Sequence, residues 1–282
     1  MKTAGEHGCL SDDRRAYAII IGAMRSGTSS LFGYLSQHPA ICPCRVKEPE
    51  YFSEYQRHRV VAQSYEELWK FDGRRHRVCL EASTGYTKYP HETGVPRRMA
   101  EYGLEPKFIY LLRDPIDRIV SQRDFEHFRF RTTYDRLTDD HLVTPSLYYR
   151  QLEQFLHHFP DRDRYLILDF DDLALAPSGV VRRCVEFLGL DPHQSNLTRL
   201  KVNRTPYPGM FEAWFRSSRL GIVTAKFAPK LARRLRRLLR TFSPPARPQV
   251  NEDDRRELHQ LLSADMMRLQ AEFGVDINRW GF

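Results

Sequence analysis

The chain has 282 residues, of which 41% are hydrophobic and 12% aromatic; that is ample for a packed core in one large domain or two small ones. Lys and Arg outnumber Asp and Glu by 44 to 36, a net charge of +8, and an excess of this sign points to an anionic ligand, partner or surface as well as to solubility. The five cysteines (Cys9, Cys42, Cys44, Cys79, Cys184) form neither a CxxC pair nor a zinc spacing, so free thiols, a reducing cytoplasmic compartment and no metal site are expected. The first sixteen residues are polar and charged, and no run of about 18 apolar residues occurs, so neither a signal peptide nor a spanning helix is expected.

Met1–Arg15 reads as a loose polar lead-in, and residues 16–282 as a single domain. Tyr17–Ile21 (YAIII) has the composition of a buried strand. Gly22–Gly27 is a loop with glycine at both ends and Arg25 inside, and from Thr28 to Leu35 the apolar spacing is helical, with Thr28–Ser30 expected to cap it. Strand, glycine-bounded loop and helix form a phosphate-binding arrangement. The spacing matches G-x-x-x-x-G-K-[ST], but Thr28 stands where the lysine belongs and the cation sits earlier, at Arg25. An ordinary strand-to-helix turn is the competing reading.

Next, Ile41–Tyr55 holds the cluster Lys47-Glu48-Pro49-Glu50. Pro49 forces Glu48 away from helical angles, so the segment is a strand end or loop, either facing a ligand or forming a solvated charged turn. Ser64–Phe71 looks helical, Val78–Glu81 is a strand, Ala82–Tyr86 a turn and His91–Tyr102 a helix. Lys107–Leu112 is a strongly apolar strand that ends in Arg113-Asp114-Pro115 and feeds a helix over Ile116–Phe128. A magnesium-dependent phosphotransferase needs an acid at such a strand end; here the strand ends in a cation. Arg113 with Ser121 makes a pocket for a second phosphate, unless Arg113 only pairs with Asp114 or Asp117. Helices are expected over Pro145–Phe159, Asp171–Leu175, Val180–Leu188 (with Gly189 as its cap) and Asp253–Phe273, and a strand over Arg164–Phe170.

Alternating strands and helices argue for an α/β fold with a mostly parallel sheet, whose binding residues gather beyond the strands' C-terminal ends. Gly22–Thr28, Glu81–Tyr86 and Arg113 all fall there. Phe211–Thr241 interleaves Lys226, Lys230, Arg233, Arg234, Arg236, Arg237 and Arg240 with leucines. This basic amphipathic insertion has three competing readings: contact with an anionic membrane, grip on an acidic substrate or partner, or plain surface packing.

Together these pieces resemble the sulfotransferase family that uses 3′-phosphoadenosine 5′-phosphosulfate (PAPS), and within it the heparan sulfate sulfotransferase-like branch with its bacterial relatives. The resemblance is carried by GAMRSGTSSL at Gly22–Leu31, VKEPEYF at Val46–Phe52, LEASTGY at Leu80–Tyr86 and LLRDPIDRIVS at Leu111–Ser121. It implies a P-loop-type sheet flanked by helices, with PAPS as donor, adenosine 3′,5′-bisphosphate (PAP) as product and no metal. It implies that Arg25, Ser26, Gly27, Thr28 and Ser29 bind the 5′-phosphosulfate, and that Arg113 and Ser121 bind the 3′-phosphate. Glu48 falls on the general base, with Lys47 beside it. Glu81, Tyr86 and Glu50 fall near the acceptor, which is a sugar, glycolipid or other alcohol. Arg247 or Arg204 stands for a further cofactor contact near the C-terminus. Peripheral contact with an anionic membrane is compatible with this picture, and nucleic acid is not a partner. There are two departures. Ala82 and Thr84 replace a lysine and a proline of the family's second motif, and the basic insertion stands where heparan-modifying enzymes carry a disulfide-bonded loop. The competing functions are a P-loop kinase or phosphotransferase, which would need a lysine at Thr28 and a magnesium-binding acid, and a non-catalytic membrane-surface protein acting through the basic helix.

Overall fold

The structure, a computed structural model, describes residues 15–54, 62–130, 132–194 and 250–282, with scattered positions between 218 and 238. Five strands form one sheet: β1 (Ala16–Gly22), β2 (Ile41–Pro43), β3 (Val78–Ala82), β4 (Lys107–Leu112) and β5 (Tyr165–Asp169). Their order is β2-β3-β1-β4-β5, and every pairing is parallel. The chain leaves β1 toward one edge and later returns past it to build the other edge. The exit of β1 is therefore the point where the strand order reverses, the usual ligand crevice of an open α/β sheet.

The strands carry apolar residues on both faces because helices cover both. Ile19, Ile21, Phe108, Tyr110 and Leu112 face one layer, where α5 (Tyr148–Leu156) contributes Leu152 and Phe155 and the last helix, α8 (Glu252–Phe273), contributes Met266 and Leu269. Ala18, Ile20, Leu80, Ile109 and Leu111 face the other. There they meet Leu31 and Leu35 of α1 (Thr28–Leu35), Leu173 of α6 (Phe170–Leu175) and Val181, Cys184 and Val185 of α7 (Pro177–Phe187). A third cluster joins Ile116, Ile119 and Val120 of α3 (Pro115–Phe130) to Leu258 and Leu262 of α8. The helix α2 (Val95–Glu101) and the short α4 (Asp140–Val143) complete the named elements.

Several expected elements are trimmed. Ser64–Phe71 is a single 3-10 turn, Tyr65–Leu68. The helix expected from His91 begins only at Val95, after Gly94 adopts φ 72. The helix expected from Pro145 begins at Tyr148, after a 3-10 turn at Thr144–Ser146. The three-residue β2 was not anticipated, because so short a strand leaves no period to read. Of the basic segment 211–241 only scattered positions are described, among them helical Lys230, Leu231 and Ala232. Residues 1–14, Arg204 and Arg247 lie outside the described residues.

Candidate active site

The loop after β1 is shaped by two close approaches. A Cβ on Gly22 would stand 2.3 Å from Oγ1 of Thr87, and that hydroxyl donates to the Ile21 carbonyl at 2.8 Å. Gly27 has φ 89, and a Cβ there would stand 2.8 Å from the Phe170 ring. Gly27 also serves as the N-cap of α1 with no side-chain cap bond, so the expected capping by Thr28–Ser30 does not occur. Among the described residues, the N–H groups of Thr28 and Ser29 therefore have no backbone acceptor. No acid occupies the first turn. Ser26 is fully buried, and its Oγ has no hydrogen-bond partner. Open N–H groups, an orphaned buried hydroxyl and a helix N-terminus free of acid together fit an anion. Arg25 takes φ 71, a left-handed conformation uncommon outside glycine.

Both predicted cations come to this edge. Arg25 Nε donates to Ser121 Oγ at 3.2 Å, with its guanidinium 4.5 Å from the centre of the Phe125 ring. Arg113 Nη1 reaches the Arg25 carbonyl at 3.5 Å, and its guanidinium lies 5.0 Å from the centre of the Phe170 ring. Arg113 also pairs with Asp117 at 3.0 Å, so the local pairing considered from sequence is present. Asp114 instead accepts the Asp117 N–H at 2.8 Å at the start of α3. A partly exposed pair of this kind contributes about 0–1 kcal/mol, little beside the attraction of a doubly charged phosphate.

A second loop, residues 46–52, lies against the exit of β3. Glu48 and Glu50 both take left-handed conformations, φ 59 and φ 54. Glu48 N–H donates to the Ala82 carbonyl at 2.8 Å. The Glu50 N–H donates to Ser83 Oγ at 3.2 Å, and the Phe52 N–H to the Tyr86 hydroxyl at 3.2 Å. The Glu48 carboxylate takes Lys47 Nζ at 2.6 Å and Thr84 Oγ1 at 3.3 Å, and both charged side chains stay about one-fifth exposed, 21% and 22%. Glu50 is buried. Gly85 N–H donates to its Oε1 at 3.0 Å, while Oε2 has no partner. Burial pushes its carboxyl up to about 7 in spite of that bond.

Glu81 and Tyr86, expected beside the acceptor, are instead interior. Glu81 is completely buried; it accepts from the Tyr65 hydroxyl and, at 2.6 Å, from Ser83 Oγ. Burial raises its carboxyl despite these donors. They act as the frame that holds the Glu48 loop, since a long carboxylate at the centre of β3 finds its partners among neighbouring hydroxyls rather than in solvent. Sequence reasoning overlooked Phe170, which fills the space below Gly27. It also overlooked Thr87, whose signal was only its place just after LEASTGY. No group of three or more potential metal-ligating side chains occurs among the described residues.

An all-parallel sheet with an anion-fitting loop at its reversal point and an arginine at the next strand exit defines an α/β protein of the open-sheet class, with a loop that fits an anion. The profile of the sulfotransferase domain matches residues 16–205, and the chain belongs to the sulfotransferase family. The mouse heparan sulfate glucosamine 3-O-sulfotransferase 3A1 is 28% identical over 251 residues, covering 81% of this chain and 60% of that protein. The mouse bifunctional heparan sulfate N-deacetylase/N-sulfotransferase 3 is 27% identical over 209 residues, covering 64% of this chain and 23% of that one. The chain thus spans 60% or less of these relatives. The crystal structure of a sulfotransferase from Alicyclobacillus acidocaldarius shares the fold, with a TM-score of 0.61 and 24% identity over 95% of this chain and 99% of that one.

Proposed function

We propose that the protein transfers a sulfo group from PAPS to an acceptor hydroxyl. The carrying observation is the placement of three groups along one edge of the sheet: the anion-fitting loop with Arg25 bonded to Ser121, Arg113 at the next strand exit beside the Arg25 carbonyl, and the Glu48 carboxylate at the β3 exit. The loop fits a phosphate by its open Thr28 and Ser29 N–H groups and the orphaned Ser26 hydroxyl. Ser26, Gly27, Thr28 and Ser29 would hold the 5′ end of the donor, and Arg113 with Ser121 the 3′-phosphate. PAPS supplies a sulfo group on a good leaving group.

In this reading Glu48 takes the proton from the acceptor hydroxyl as its oxygen bonds to sulfur. The sulfur–oxygen bond to the 5′-phosphate breaks, and the electron pair stays on the phosphate. Arg25, the loop N–H groups and Lys47 offset that growing negative charge. Side-chain cations suffice for this, which fits a strand end occupied by Arg113 instead of a magnesium-binding acid.

Glu48→Gln tests the reading. A base of this kind contributes about 10²–10⁴-fold, so turnover should fall by at least about 10²-fold while PAP still raises the melting temperature. Retention of most activity would remove Glu48 from the role. ATP with magnesium stabilising the protein where PAP does not would favour a phosphotransferase.

A further inference from the structure

The last turn of the chain returns to the sheet edge that carries the candidate site. Gly274, at φ 65, ends α8, and Ile277–Trp280 follow as a 3-10 turn. Ile277 and Trp280 are buried in the same core layer as Leu152 and Met266. Behind them Phe282 stacks on His259 of α8, with ring centres 4.3 Å apart, and His259 Nε2 donates to the Gly281 carbonyl at 2.7 Å. The turn is thus pinned to α8 on one side. On the other it reaches the strand exits. Trp280 Nε1 donates to Asp169, the last residue of β5, at 3.2 Å, and Arg279 pairs with Asp172 at 2.9 Å. The Trp280 ring also meets the Tyr148 ring edge-on, with 6.1 Å between centres.

Tyr148 carries this packing to the candidate site. It is fully buried, and its hydroxyl donates to the Arg113 carbonyl at 2.7 Å. Arg113 is the first residue past β4, and no backbone N–H among the described residues donates to its carbonyl. The Tyr148 hydroxyl therefore supplies the bond that fixes this peptide. The side chain's own contacts hold it less firmly. Nη1 stands 3.5 Å from the Arg25 carbonyl, at the limit of a hydrogen bond. The pair with Asp117 at 3.0 Å is partly exposed and weak. The aim of the Arg113 guanidinium is accordingly set from its backbone.

We propose that Tyr148 is a positioning residue for Arg113, seated by Trp280, and that this buried pair sets how tightly the protein holds a second phosphate. This rests on the reading above, in which Arg113 grips the 3′-phosphate of the donor. Calorimetry on the full chain, comparing PAP with adenosine 5′-phosphate, which lacks the 3′-phosphate, provides the test. An arginine that loses its aim forfeits part of a charge-assisted bond. Tyr148→Phe should therefore lower PAP affinity about 5- to 20-fold and adenosine 5′-phosphate affinity less than about twofold. In an Arg113→Ala background the same change should alter PAP affinity less than about twofold. Trp280→Leu unseats the Tyr148 ring from a second position; it should give the same selective loss, and it serves in place of Tyr148→Phe should that variant misfold. General loosening of the fold would instead weaken both nucleotides alike and would persist without the Arg113 guanidinium. Equal losses for the two nucleotides, no loss for PAP, or an undiminished loss in the Arg113→Ala background would overturn the inference while leaving the sulfotransfer reading intact. Wild-type protein that binds PAP no tighter than adenosine 5′-phosphate would overturn the 3′-phosphate grip itself, and this inference with it.

Discussion

The two loops of the candidate site are built in opposite ways. Gly22–Ser29 is a backbone device: close approaches at Gly22 and Gly27 fix its path, and the groups it offers are largely N–H donors. Residues 46–52 depend on groups elsewhere, being hung from the Ala82 carbonyl and the Ser83 and Tyr86 hydroxyls, with Glu81 and Tyr65 buried behind them. The difference teaches that an anion-fitting loop is made by local geometry, whereas the Glu48 carboxylate is placed by a network gathered from distant positions.

Substitutions that damage one loop and spare the other should sharpen this contrast. The largest effect is expected from Gly27→Ala. Its φ of 89 and a Cβ contact of 2.8 Å to Phe170 should cost about 3 kcal/mol and abolish PAP binding. Urea unfolding and PAP thermal shifts measure both, and Phe170→Leu in the same chain should return part of the stability. A neutral Gly27→Ala would refute the packing described for the loop.

Glu50 comes next. Its carboxyl is raised to about 7 from an ordinary 4.5, so between those values the native state holds more protons than the unfolded chain. Its contribution is therefore full at low pH and is lost as pH rises from about 4.5 through about 7. Glu50→Gln should leave stability at pH ~4 nearly unchanged, flatten the decline and gain on the order of 2 kcal/mol at pH ~8. Unfolding curves across that range test it; an unchanged slope would place Glu50 in contact with water.

Tyr65→Phe removes a donor from buried Glu81 and should cost about 1–2 kcal/mol. Turnover should fall while PAP affinity holds, if the network serves only the base loop. The smallest effect is expected from Ser121→Ala, a roughly three- to tenfold loss of PAP affinity seen by calorimetry, with turnover at saturating PAPS little changed.

The same contrast explains what the sequence disclosed. Strong apolar runs such as KFIYLL and the glycine spacing of GAMRSGT are local, and they yielded the parallel sheet, the glycine-bounded loop before α1 and Arg113 at its strand exit. The depth of Glu81 and Tyr86 was hidden, because LEASTGY reads the same whether its polar residues point outward or into hydroxyl partners as far away as Tyr65. Helix starts were overextended wherever a glycine or a 3-10 turn intervened, as at Gly94 and Thr144–Ser146.

Phe170 lies beside both Gly27 and Arg113. One face of its ring closes off the space beneath Gly27, and the Arg113 guanidinium lies near the same ring. Two grips that would hold opposite ends of one nucleotide thus share a single cushion, contributed by a strand exit that carries neither. Trimming that ring should slacken both at once, so Gly27 and Arg113 cannot be retuned separately through this position.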